Sequence, residues 1–307
     1  MSREASFVIV DGHAEMPGRL GFKPILFNEN AYLDTKVYHD LKTFLAIDAA
    51  GAIVARVRFA KRKEGSIWES LPLAPHGAIE MVEGFDVARL LQFISNYFEG
   101  ESIVRIRLTP VHNQGVEEVF ESCGFRGSIG DINHHVDLNG EINIHKMELR
   151  RYKKAEQAGC EFSEIQLNLD SAFEIHHFIA RCRVQQGLEI NISESEFIET
   201  VRLLPEYYSA FTVRLNDEII AATVVVKVNN RVAYNYLPAS NKAFHHLSPM
   251  VYLTIHLYHQ LKRLGFQIMD WGLTSVKGEE QTGLAHFKEA MGAQLERRFT
   301  YVLAGQS

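Results

Sequence analysis

Residues 267–292 read Q-I-M-D-W-G-L-T-S-V-K-G-E-E-Q-T-G-L-A-H-F-K-E-A-M-G, and how this stretch divides decides the fold. An apolar run ends in Asp270-Trp271-Gly272, a polar segment punctuated by glycine follows, and a helical pattern then carries His286 and Lys288. That order is strand, loop, helix. Ionisable groups at the carboxyl end of a strand, facing a loop and a helix start, are the usual ingredients of a site in an α/β protein. Alternation puts Asp270 on one strand face with Ile268 and Gly272, opposite Met269 and Trp271.

Immediately upstream, Ser248-Pro249 has the form of a helix start, serine as N-cap and proline at the first helical position, with the helix running to Gly265. Before it, Tyr208 to Leu215 and Glu218 to Val228 are two apolar runs around Asn216-Asp217, a hairpin. Asn229-Asn230 then turns into a strand over Arg231 to Leu237, and an Asn-Asn pair suits positive φ. Tyr234 and Tyr236 alternate onto one face of that strand. Earlier still, His145 to Ala158 reads as a helix closed by Gly159, with Lys146, Arg150, Lys153 and Lys154 three or four residues apart on one face. Such a face is a solvated linker surface or a patch that contacts phosphate.

The first half repeats this order about 166 residues earlier. Gly51 to Ala55 matches Asp217 to Ala221 in the hairpin, and Ile103 to Thr109 matches Ile268 to Thr274 as the strand. Gly115 to Gly124 matches Gly283 to Gly292 as a short helix with its closing glycine. Each copy has an antiparallel hairpin, a helix, a strand, a helix and a last strand, which predicts an α/β fold with a mixed, largely antiparallel sheet flanked by helices. The expected division is 1–144, a basic connecting helix at 145–160, and 161–307.

Composition bounds the rest. The chain has 307 residues, 46% of them hydrophobic, enough for two ordinary cores. A formal charge of -6 excludes a dedicated nucleic-acid binder and leaves room only for a local basic patch. Three scattered cysteines, Cys123, Cys160 and Cys182, fit free thiols in a reducing compartment. Four apolar residues near the N-terminus are too few for a signal sequence and no run approaches a membrane span, so a cytoplasmic protein is expected, without membrane contact. His256 and His259 lie one turn apart, but no further ligand completes a set, and no metal is expected.

The passages S-L-P-L-A-P-H-G-A, L-R-R-Y-K-K-A-E-Q-A-G and D-W-G-L-T through G-L-A-H-F-K-E-A-M-G carry a family resemblance. The repeated unit resembles the fold of the GNAT acyltransferase superfamily, and the tandem copy resembles the Fem-type (FemAB-like) peptidyltransferases. The resemblance implies two tandem GNAT-like domains and direct transfer of an acyl group from an activated donor to an amine. Acyl-CoA is the leading donor, with no tightly bound cofactor and a small-molecule or peptide amine as acceptor. It also implies a role for Lys288 in stabilising the donor carbonyl or phosphate. Asp270 is a candidate proton acceptor or partner of Lys288, and the Tyr236 hydroxyl a candidate donor to the leaving group. Lys146, Arg150, Lys154, His246 and His286 are candidate substrate contacts.

Where GNAT enzymes use a Gly-rich loop for coenzyme A pyrophosphate, this chain has A-S-N-K-A-F-H-H-L-S-P, with no glycine. Two alternatives therefore stand beside the leading reading. One is an aminoacyl-tRNA-dependent transferase acting on a cell-wall precursor, with tRNA as a partner. The other is a duplicated binding module without catalysis. The second copy is the expected seat of chemistry, because the first has Val-Phe where the second has Phe-Lys.

Overall fold

A computed structural model of the chain describes residues 5–36, 38–61, 67–72, 74–77, 79–99, 103–108, 116–276 and 279–304. The repeat matches at 109 and 115, and positions 73, 78, 277 and 278 of the motif segments, lie outside them. The chain forms two compact units, 1–131 together with 297–307, and 132–296. The basic helix thus falls inside the second unit, and residues 297–307, which the repeat placed with the second copy, group with the first unit.

In the first unit, strands β1 (Ala5–Asp11), β3 (Asp40–Asp48) and β4 (Ala52–Lys61) form an antiparallel meander, with short β2 (Arg19–Leu20) beside β4. Helix α1 (Asn30–Leu33) lies between β2 and β3 in the chain. Short strands β5 (Trp68–Glu69) and β6 (Glu80–Met81) flank the proline-rich segment, which is a strand entry and not a continuous strand. Prolines 72 and 75 lack ladder donors, and Leu71 takes φ 42°. Helix α2 (Val87–Tyr97) is capped by Asp86, whose side chain accepts from the Ala88 N–H. Strand β7 (Ile103–Arg107), helix α3 (Glu117–Ser122) and strand β8 (Arg126–Asp137) follow. Alternate residues of β4 part company: Val57 and Phe59 join Leu90, Leu91 and Ile94 in the core, whereas Arg56 and Arg58 are buried on the opposite face.

In the second unit, α4 (Lys146–Gln157), β9 (Glu161–Gln166), α5 (Leu169–Gln185) and α6 (Glu194–Leu203) precede the hairpin of β10 (Tyr208–Leu215) and β11 (Glu218–Lys227). Then come β12 (Val232–Asn235), β13 (Ala239–Ser240), α7 (Pro249–Arg263), β14 (Ile268–Leu273), the small pair β15 (Ser275–Val276) and β16 (Glu279–Glu280), α8 (Thr282–Ala290) and β17 (Gln294–Ala304). Strand order runs β8, β14, β12, β11, β10, β9, antiparallel except where β12 meets β14. The α7 face carries the core, with Phe211, Val213, Ala221, Val225, Ala233 and Met269 packed on Leu253, Leu257 and Leu261. Each unit is a largely antiparallel sheet with helices against it; the hairpin, helix, strand and helix recur in both, while most of the last strand of the second copy, β17, groups with the first unit.

Two local expectations fail for a physical reason. Asn216 and Asp217 do take positive φ, 49° and 67°, as a tight hairpin requires. Asn229 and Asn230 do not, because the Asn229 side chain accepts the N–H groups of Arg231 and Val232 and closes the turn itself. Ser248 does not cap α7 with its side chain; it sits at φ 54° and contributes its carbonyl instead.

No described helix is long and apolar enough to cross a membrane. Among the described residues no group of three or more His, Cys, Asp or Glu side chains is placed to hold a metal ion.

The buried Arg56 is matched by carboxylates: its Nε donates to Glu80 at 2.6 Å and its Nη2 to Glu29 at 2.8 Å. Glu80→Ala leaves a fully buried guanidinium short of a carboxylate, and urea unfolding is expected to register a loss of about 3–5 kcal/mol; a loss below about 1 kcal/mol contradicts this.

Candidate active site

The carboxyl end of β14 departs from a regular strand. Its register against β8 shifts between Asp270 and Gly272, and Gly272 has φ 71°. Glycine is required there: the left-handed backbone disfavours any side chain, and an added Cβ meets the Tyr234 ring at 3.0 Å. The bulge turns the Gly272 N–H and the carbonyls of Trp271, Gly272 and Leu273 toward side-chain partners.

Asp270 and Lys288 satisfy them. Asp270, 2% exposed, accepts the Gly272 N–H at 2.8 Å and the Asn133 side-chain amide at 3.0 Å through Oδ1. Lys288 reaches across from α8, 3% exposed, and its Nζ donates to the carbonyls of Trp271 at 3.0 Å, Gly272 at 2.7 Å and Leu273 at 3.0 Å. An ammonium has three N–H donors, and all are used. Burial pulls the Lys288 pKa down to about 8, against the upward pull of Asp270. Behind it His134, wholly buried, lies 3.0 Å from the Thr274 hydroxyl and 3.7 Å from Glu289. Burial, and next the Lys288 charge, push its pKa down. His135 goes the other way, raised by Glu296 at 3.0 Å.

A second group of residues shares this face of the sheet. Directly opposed residues run in a row across four strands, Tyr208 to Val226 to Tyr234 to Asp270. Tyr236 lies beside Tyr234, ring centroids 5.8 Å apart. Burial first, then the charge of Glu196, raises the Tyr236 pKa to about 12, with Arg183 opposing. Tyr208 is raised further for the same leading cause. Arg183 on α5 donates through Nη1 to the Glu189 carbonyl at 3.3 Å, while its Nε is buried without a hydrogen bond. Burial lowers the Arg183 pKa against the pull of Tyr234 and Tyr236. The face thus gathers a guanidinium, phenols and the Glu196 carboxylate.

Of the residues singled out from sequence, Asp270 and Lys288 meet at the bulge and Tyr236 belongs to the adjoining phenol group. His286 and His246 are exposed on α8 and in the turn before α7, and no contact joins them to either group among the described residues. Lys146, Arg150 and Lys154 lie exposed on α4, Lys154 donating to the His246 carbonyl at 2.8 Å. Sequence reasoning missed Arg183, Glu196 and Tyr208. Arg183 left a signal: it stands four residues from Ile179 on the stripe that buries Ile175, Ile179 and Cys182.

The turn before α7 is closed on itself. Asn241 takes the Ala243 N–H with its side chain and the Phe244 N–H with its carbonyl, and the Ser248 N–H goes to the His245 carbonyl. The Ser248 carbonyl accepts from Val251 and Tyr252, and Pro249 has no N–H.

The sheet of the second unit is antiparallel but for the pair β12 and β14, and the bulge lies in β14 of that pair. Residues 145–289 match the acetyltransferase (GNAT) domain family. No curated protein matches the sequence. Among solved structures, FemX is similar over 92% of this chain and 93% of its own, at 12% identity and TM-score 0.68. The C-terminal domain of a putative lysylphosphatidylglycerol synthetase from Agrobacterium fabrum is similar at 14% identity and TM-score 0.59, covering 86% of this chain and 84% of that one. The lysylphosphatidylglycerol synthetase (L-PGS) of Bacillus licheniformis follows at 14% and 0.57, covering 85% and 83%. Residues 145–289 thus carry the match to the GNAT acetyltransferase domain, and the chain as a whole shares its fold with FemX.

Gly272→Ala tests the bulge. It forces a left-handed alanine against Tyr234, with an expected loss of about 1–3 kcal/mol in urea unfolding; an unchanged midpoint contradicts the geometry.

Proposed function

We propose that the chain transfers an aminoacyl group from an aminoacyl-tRNA ester to the amine of a small molecule or peptide, with the chemistry in the second unit. The turn before α7 carries this reading. A coenzyme A pyrophosphate calls for free amides at a helix start, and here proline removes one while the Ala243, Phe244, Ser248, Val251 and Tyr252 N–H groups are all engaged. A tRNA ester needs cationic surface for its phosphates instead, and Lys146, Arg150, Lys153 and Lys154 supply it on α4. The fold likeness to a putative lysylphosphatidylglycerol synthetase, whose name joins an amino acid to an acceptor, is in keeping with transfer of an aminoacyl group.

Tyr236 adds a chemical argument. The amine attacks the ester carbonyl, the C–N bond forms, and the C–O bond to the ribose breaks with its electron pair on oxygen. That alkoxide needs a proton, and a phenol held near pKa 12 is still protonated at neutral pH and matched to it. A thiolate, with a parent thiol near pKa ~8.5, leaves without such help. Glu196 accepts the proton that the amine sheds, and proton exchange through solvent restores the phenol. Arg183 offers its unpaired Nε to an anionic group of a substrate.

Mass spectrometry of amine panels incubated with charged tRNA or with acyl-CoA tests the reading. Aminoacylated product from charged tRNA alone is expected. Product from acyl-CoA alone overturns it in favour of the acyl-CoA donor, and no product from either favours the binding module. Tyr236→Phe is expected to lower kcat by about 10²–10⁴-fold while tRNA binding persists; an unchanged kcat removes Tyr236 from the reaction.

A further inference from the structure

We infer that Lys288 is a positioning residue: its ammonium gathers the carbonyls of Trp271, Gly272 and Leu273 and so moulds the end of β14, without itself touching donor or acceptor. The hydrogen-bond inventory leads there. An ammonium offers three donors and no acceptor, and distances of 3.0, 2.7 and 3.0 Å account for all of them. A lysine that held a phosphate or an oxyanion would have to surrender a buried carbonyl to do so, leaving that carbonyl unsatisfied. The group is also 3% exposed, behind the strand it serves.

The arrangement has two halves. Asp270 takes the bulge N–H and Lys288 takes its carbonyls, so the left-handed Gly272 is held from both sides. Tyr234, which abuts Gly272, is thereby placed, and the Tyr236 ring lies tilted beside Tyr234. The path from lysine to the Tyr236 phenol is a chain of contacts, and its bearing on transfer rests on the role proposed above for Tyr236.

The clamp also has a pH limit. The charged groups facing Lys288 are Asp270 on β14, which favours its charge, and His134 on β8, whose own charge Lys288 opposes. Glu289 on α8 and Glu280 on β16 act on His134 in turn. With the Lys288 pKa near 8, the folded chain loses one of the three N–H donors as pH rises through that value. The unfolded chain keeps its lysine charged up to about 10.5. Between the two values the unfolded chain binds the extra proton, so this group's contribution to global stability improves with pH while the local clamp weakens. A local loosening without global unfolding is the signature.

The chain has two tryptophans, Trp68 and Trp271, so Trp68→Phe leaves the clamped residue as the sole reporter. In that background Trp271 emission is expected to shift with a midpoint near pH 8 while far-UV circular dichroism stays constant. Lys288→Met is expected to abolish the transition. In the wild-type chain against Lys288→Met at pH 7, hydrogen exchange of residues 268–276 is expected to speed up by about tenfold or more, with 251–261 unchanged. Propylammonium is expected to slow that exchange again in Lys288→Ala. Emission flat from pH 7 to 9 overturns the inference. So does unchanged exchange at 268–276 in a folded Lys288→Met protein, since the lysine then holds nothing in place there. Because these readouts need no substrate, they fail or hold separately from the donor assignment.

Discussion

The site in the second unit depends on one ammonium and three carbonyls. A strand that ends in a bulge leaves backbone groups without ladder partners, and burying them unpaired costs about 1–3 kcal/mol each. Lys288 cancels that cost for Trp271, Gly272 and Leu273, and Asp270 does the same for the Gly272 N–H. The lysine is itself expensive to bury, as its depressed pKa records. Two buried ionisable groups at a strand end are then explained by the shape of the backbone they hold.

That shape bears on function because Asp270 stands in register with Tyr234 and Tyr208. The face carrying these residues also holds the buried Ala210, Ala222, Val224 and Val226, so its phenols and Asp270 are polar groups set in an apolar layer. Arg183 and Glu196 come to that face from α5 and α6. A half-buried arginine whose Nε makes no hydrogen bond, beside phenols whose pKa burial raises, is unusual in a structural layer. They suit a site that binds an anionic substrate and delivers a proton. The turn before α7, closed by its own hydrogen bonds, directs the choice of donor away from a backbone phosphate cradle.

Much of the fold was legible before any coordinates. The order hairpin, helix, strand, helix and strand recurs along the chain, although most of the final strand groups with the first unit, and the Asn216-Asp217 turn takes the backbone it announces. Asp270 and Lys288 were also found, because strand-loop-helix order brings a strand end and a helix together. Their contacts were not, since residue spacing cannot reveal which carbonyls a bulge turns inward. Arg183, Glu196 and Tyr208 come from three elements and meet only through sheet register, although an arginine on the apolar stripe of α5 was a visible sign. Ser248 misled because serine before proline scores as a cap from its side chain, whereas here the carbonyl does that work.

Donor recognition is the central claim, and equilibrium titration of the full chain with coenzyme A and with charged tRNA at two salt concentrations tests it most directly. The account predicts tRNA binding that weakens steeply with salt and no measurable affinity for coenzyme A. Saturable coenzyme A binding that is lost on substitution within residues 241–249 would contradict it.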